Sequence, residues 1–143
     1  MKTIVTGVDG SRTAARAAQR AAELAAALGA ELHVVCAYER LEVERLRQGS
    51  DELVRSTEDE AARTAVAAVR ALQALYQALV LRPQAVEGKP GEVLVQVAEQ
   101  CEADIIVVGN KRVQGVARVL GSIARDVARR ARCDVYVVHT HER

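Results

Sequence analysis

Two short segments carry the residue types that could hold a small polar ligand. The first is Gly7-Val8-Asp9-Gly10-Ser11, at the end of an apolar run. An aspartate there can accept a hydrogen bond from a ligand amine or hydroxyl, or it can share with Ser11 the capping of the helix that follows. The second is Gly109-Asn110-Lys111-Arg112-Val113-Gln114-Gly115, with Gly121-Ser122 opening another helical stretch. Glycine directly after a strand lets backbone approach a phosphate, and the free N–H groups of a helix start add donors and a favourable dipole. The Ser122 hydroxyl is one more donor. Turn and cap roles account for the same glycines and serine without any ligand.

Charge points the same way. Between Asn110 and Arg132 lie seven basic residues (Lys111, Arg112, Arg118, Arg125, Arg129, Arg130 and Arg132) and one acid, Asp126. The whole chain nets +1, so the remainder nets −5. Positive charge concentrated around a phosphate loop suits an anionic ligand, and a solvated helix face is the plainer explanation.

Other chemistries are poorly served. There is no Gly-x-x-x-x-Gly-Lys-Ser/Thr loop, which argues against a Walker-type nucleotidase. His33 sits inside an apolar run, and His139 and His141 stand close to the end of the sequence, none spaced to serve a nucleophile or a metal. Cys36, Cys101 and Cys133 form neither a disulfide framework nor a zinc pattern. Each reads as a small buried hydrophobe in a reducing compartment. No general base is placed for hydrolysis, so the chain is expected not to be an enzyme, with slow ATP turnover left open. With no Phe, no Trp and three Tyr, it lacks the stacking platforms of a single-strand nucleic-acid binder. No apolar run is long enough to span a bilayer, and no leader pattern opens the sequence. The expected setting is cytoplasmic, with neither membrane nor nucleic acid as partner.

The elements that must position these residues follow from hydrophobic period. Apolar runs at Thr3 to Val8, Glu31 to Ala37, Leu81 to Val86, Asp104 to Val108 and Val135 to His139 predict five strands. Pro83 sends the third toward an edge, and the fourth is expected at the sheet centre. Between them, Ser11 to Leu28 predicts a helix with a stripe of Ala14, Ala18, Ala21, Ala25 and Leu28, stopped by Gly29. Residues 39–50 read as an exposed loop or frayed helix. A long helix then starts between Asp51 and Thr57, with Thr57 and Glu60 as a capping box and Ala61, Ala65, Ala68, Leu72, Leu75 and Leu79 on its buried face. Leu94, Val97, Ala98 and Cys101 line a helix after the turn at Gly88-Lys89-Pro90-Gly91, and Ser122 to Arg132 forms the last. The predicted class is α/β, a single Rossmann-like domain over residues 1–143. Its five-stranded parallel sheet has order 3-2-1-4-5 and helices on both faces. Ligands of such sheets bind beyond the carboxyl ends of the strands, where strand order reverses. The loops after strands one, two and four therefore matter most.

Taken together, Val8-Asp9-Gly10-Ser11, the run ending in Cys36-Ala37-Tyr38, Glu87-Gly88-Lys89-Pro90, Ala103-Asp104-Ile105-Ile106-Val107-Val108-Gly109, Gly121-Ser122-Ile123-Ala124 and Cys133-Asp134-Val135-Tyr136-Val137-Val138 resemble the universal stress protein family over nearly the whole chain. Val107-Val108-Gly109-Asn110 and Asp134-Val135-Tyr136-Val137-Val138-His139-Thr140 are most similar to an actinobacterial branch that includes cyclic AMP binders. The resemblance implies adenine near Val8, Asp9 and Ala37, with Asp9 also close to the ribose. It implies phosphate contacts from Gly109, Gly121, Ser122 and Ile123, and Gly7, Val108, Lys111, Arg112 and Ala124 complete the candidate set. The implied ligand is an adenine nucleotide, ATP with or without Mg, or cyclic AMP; no metal is bound by the protein itself.

Nucleotide-binding members carry glycine, two residues, glycine, nine residues, then glycine with Ser or Thr. Here Gly109 and Gly121-Ser122 match, but Arg112 takes the middle glycine position and eight residues separate it from Gly121. Arginine adds a Cβ where backbone would near the phosphates; its guanidinium either contacts phosphate or blocks a triphosphate chain. The alternative function is a nucleotide-free stress protein acting through protein contacts. Val135, Tyr136, Val137 and Val138 form an apolar last strand whose edge would be exposed in a monomer. Family members pair that strand with its symmetry mate, which implies a homodimer; any other protein partner is unknown.

Overall fold

Runs rich in Val and Ile form the strands and Ala-rich stretches form the helices, as their propensities favour. The computed structural model describes residues 2–39, 50–110 and 120–140, with the backbone alone over 50–56. The order is β1 (Thr3–Gly7), α1 (Arg12–Leu28), β2 (Glu31–Tyr38), α2 (Ser50–Leu75), β3 (Leu81–Glu87), α3 (Pro90–Gln100), β4 (Ile105–Asn110), α4 (Ser122–Arg130) and β5 (Asp134–His139). The strands form one parallel sheet in the order β3-β2-β1-β4-β5, as the pattern predicts.

β1, not β4, is the middle strand; β4 lies between β1 and the edge strand β5. β4 carries the longer apolar run and β1 is broken by Thr6. The Thr6 hydroxyl is satisfied in the interior by donating to the Val107 carbonyl at 2.9 Å, so local apolarity does not rank them. Pro83 lies on the edge strand β3, opposite Val34 in register, where its missing N–H costs no ladder bond on the open side.

Two layers of core result. On one face Ile4, Leu32, Val34 and Val107 pack under α1 and α2. On the other, Val5, Val35, Ile106 and Val108 pack under α3 and α4. The buried side of α1 is Ala17, Ala18, Ala21, Ala22 and Ala25, and methyl-sized side chains let the helix lie close on the sheet. Leu28, expected on that stripe, is 42% exposed, because Gly29 at φ 67° ends the helix there and turns the chain away.

α2 starts at Ser50, so Thr57 and Glu60 lie inside it rather than at its cap. Ala61, Ala65 and Leu72 are buried, but Leu75 is 64% exposed and Leu79 is buried from the turn beyond the helix. Gln73 Nε2 closes that end by donating to the carbonyls of Tyr76, Gln77 and Leu79. Of the cysteines, Cys36 is buried, whereas Cys101 and Cys133 are part-exposed at the rim of the second core layer. The reading of residues 39–50 falls, from residue 40 to 49, outside the described residues. Among the described residues, no helix is long and apolar enough to cross a membrane.

Candidate functional site

The chain leaves β1 for α1 on one face of the sheet and leaves β4 for α4 on the other. A crevice opens between them, beyond the carboxyl ends of both strands. Its volume is about 400 Å³, within the roughly 300–1,000 Å³ usual for small-molecule sites.

Of the residues expected at the site, Gly7, Val8, Asp9, Ala37, Val108, Gly109, Gly121, Ser122, Ile123 and Ala124 all line this crevice. Lys111 and Arg112 lie outside the described residues, as does the segment that departs from the glycine pattern. The structure adds Ser11, Thr13 and Ala14 from the start of α1, Val35 from β2, and Pro90, Val93 and Leu94 from α3. Leu94 reads in sequence simply as part of the buried face of a helix, a face on which Val93 is not expected. That signal is correct but incomplete: the end of the same face forms an apolar wall of the crevice.

The α1 side presents acceptors. Asp9 Oδ1 accepts from the Ser11 N–H at 2.9 Å, and Ser11 Oγ accepts from the Ala14 N–H at 3.2 Å. Ser11 is thus the N-cap and Asp9 its brace. This answers the choice left by the sequence in part: the cap belongs to Ser11, and Asp9 keeps Oδ2 without a protein partner among the described residues. The carboxylate is exposed at the crevice mouth.

The α4 side presents donors. Its N-cap is Gly121, with φ −62° and ψ 164° and no side-chain cap. The first intrahelical bond runs from the Arg125 N–H to the Gly121 carbonyl at 2.9 Å. Among the described residues, the amides of Ser122, Ile123 and Ala124 therefore begin the helix without a capping acceptor, at the positive end of its dipole. The Gly121 N–H, expected among the phosphate donors, is instead donated to Asn110 Oδ1 at 2.9 Å.

Gly109, which lines the crevice, also meets a packing demand. A Cβ there would meet Thr140 Cγ2 at 3.1 Å and Ala17 Cβ and Thr13 Cγ2 at 3.4 Å. Its bareness lets β4 close against α1 and Thr140.

Thiol chemistry is not offered nearby. Burial first, then Asp9 and Glu60, push the Cys36 thiol up, and burial does the same for Cys101 and Cys133. A larger cavity, about 740 Å³, opens at the amino ends of the strands around Ala25, Ala30, Tyr76 and Val80. Its carboxylate, Glu31, is already bonded to His33 and Arg82, and no helix starts there. The crevice at the carboxyl ends is the site with chemistry aimed into it.

A model of the universal stress protein family matches residues 1–139. A universal stress protein of Methanocaldococcus jannaschii is 31% identical over 139 residues, 96% of this chain and 81% of that protein. One of Mycobacterium tuberculosis is 46% identical over 54 residues, and the match spans 37% of this chain and only 37% of that relative's length. Among solved structures, the crystal structure of a universal stress protein in complex with cAMP is 34% identical, with a TM-score of 0.73 and coverage of 98% of each chain.

Proposed function

The chain belongs to the universal stress protein family, and from that premise we propose that its crevice binds an adenine nucleotide. The observation that carries this reading is the pairing of opposite chemistries across one cavity. An acceptor carboxylate at Asp9 faces the uncapped amides that begin α4. Negative charge at Asp9 repels phosphate, so the phosphate belongs at α4 and the ribose hydroxyls or exocyclic amine belong at Asp9. The apolar wall of Val35, Val93 and Leu94 suits the base. The similar protein solved with cAMP supports adenine as that base.

Isothermal titration of the full chain with AMP, cAMP and ATP tests the reading, alongside mass spectrometry of any nucleotide carried through purification. Saturable heat with at least one adenylate is expected. Absence of binding to all three at millimolar supply would leave the nucleotide-free reading, in which the protein works through protein contacts. A binding rather than catalytic role, in the cytoplasm, goes with this reading. Phosphate release from ATP is then expected to stay near the buffer rate, and release well above it would restore the slow-turnover reading.

Two copies are proposed to pair through β5. That strand has a neighbour, β4, on one side only, and Tyr136 and Val137 are each 36% exposed. An exposed apolar edge is what a two-fold strand pairing would cover. Val137→Glu should convert dimers to monomers in sedimentation velocity; an unchanged dimer would refute the geometry.

A further inference from the structure

The residue that holds the start of α4 in place is Asn110, the last residue of β4. Its side-chain Oδ1 accepts the Gly121 N–H at 2.9 Å, eleven residues away in sequence. Its main-chain carbonyl accepts from Thr140 Oγ1 at 2.9 Å, and Thr140 is itself buried, at 4% exposure. Arg16 of α1 donates to the Thr140 carbonyl at 3.0 Å. A continuous chain of hydrogen bonds thus runs from α1 through Thr140 and Asn110 to α4, tying together the two helices that frame the crevice.

The choice of Asn here is informative. An aspartate would form a stronger, charge-assisted bond with the same amide. It would also place a negative charge at the positive end of α4, where the protein itself would then neutralise the field that an anion needs. A neutral acceptor holds Gly121 and leaves that field intact. It also takes Gly121 out of the donor set, so the amides left to the ligand are those of Ser122, Ile123 and Ala124.

We propose that Asn110 is a positioning residue that sets the preference of the crevice for phosphate-bearing adenine ligands over uncharged adenine nucleosides. It acts through Gly121 and does not touch the ligand. This rests on the adenylate reading above, and the test separates the two. The full chain and the variants Asn110→Asp and Asn110→Ala are titrated with AMP and with adenosine, and exchange of the Gly121 amide is followed by NMR.

Asn110→Asp keeps the acceptor and the fold but adds like charge, so AMP affinity should fall by roughly tenfold or more, with adenosine affinity unchanged. Asn110→Ala removes the acceptor; it should speed Gly121 exchange and weaken AMP by about threefold to tenfold, the scale of one lost hydrogen bond, again sparing adenosine. If either variant weakens AMP and adenosine equally, or leaves the ratio of the two as in the parent, Asn110 is merely structural and the proposal is overturned. If the parent binds neither ligand, the adenylate reading itself falls, and the role given to Asn110 falls with it.

Discussion

At the start of α1, Ser11 accepts the Ala14 amide and Asp9 accepts the Ser11 amide, so the local donors are met by side chains of the same segment. At the start of α4, across the same crevice, Gly121 offers no side chain and the first-turn amides meet none among the described residues. Both are helix beginnings at the carboxyl end of a sheet, and both follow a strand of the central pair β1 and β4. Their difference is one of supply: the α1 start is served by side chains of its own segment, and the α4 start is the one at which the proposed phosphate would find donors. A capped start is worth about 1 kcal/mol of helix stability. With Gly121 at its N-cap α4 forgoes only a few tenths of a kcal/mol of that stabilisation, and the crevice gains a donor face opposite an acceptor face.

The comparison can be broken by making α4 resemble α1. The φ and ψ of Gly121 lie in the extended region open to any residue, so Gly121→Asp should fold and cap the helix. AMP affinity should fall by more than about tenfold, from like-charge placement and loss of free amides, while the melting temperature rises by about a degree (~0.3 kcal/mol), because Asp gains only a few tenths over Gly at an N-cap. Retained AMP binding, measured by calorimetry, would mean that the α4 start is not where phosphate sits.

The reverse change is smaller. Ser11→Ala uncaps α1 and should cost about 1 kcal/mol, read as a drop of roughly 3 °C in a thermal melt. Its AMP affinity should stay within about twofold, since cap and phosphate site are then independent. A larger loss of affinity would make Ser11 a ligand contact. Smallest is Asp9→Asn, which keeps an acceptor for the Ser11 amide and removes the charge. Adenosine affinity should fall by about threefold, the scale of one weakened hydrogen bond, with the melting temperature unchanged. If adenosine binding is indifferent to it, Asp9 only braces the cap.

Much of this was legible before any fold was seen. Alternating apolar runs and helical stripes carried the element order, Gly29 marked the end of α1, and Pro83 marked an edge. Gly7-Val8-Asp9 and Gly121-Ser122-Ile123-Ala124 converge as expected, because residues at strand ends and at the following helix start are placed by local geometry and one crossover rule. The errors share a cause. Thr57 carried a capping signature but lies within a helix, and Leu28 and Leu75 continued a period beyond the point where packing stops. Leu94 reads as core and is core, and Val93 is buried beside it, so nothing in the pattern announces that they also wall a cavity.

By itself, the sequence determined the alternation of strands and helices, the parallel sheet they build, and which short segments end at its carboxyl edge. These depend on residue type, period and neighbours a few positions away. Only the tertiary structure decided that β1 is central, that a side chain at Gly109 would meet Thr140, and that Asn110 takes the Gly121 amide. Those outcomes join groups from 11 to more than 100 residues apart. Such a pairing exists only once the strand order has brought its partners to hydrogen-bonding distance.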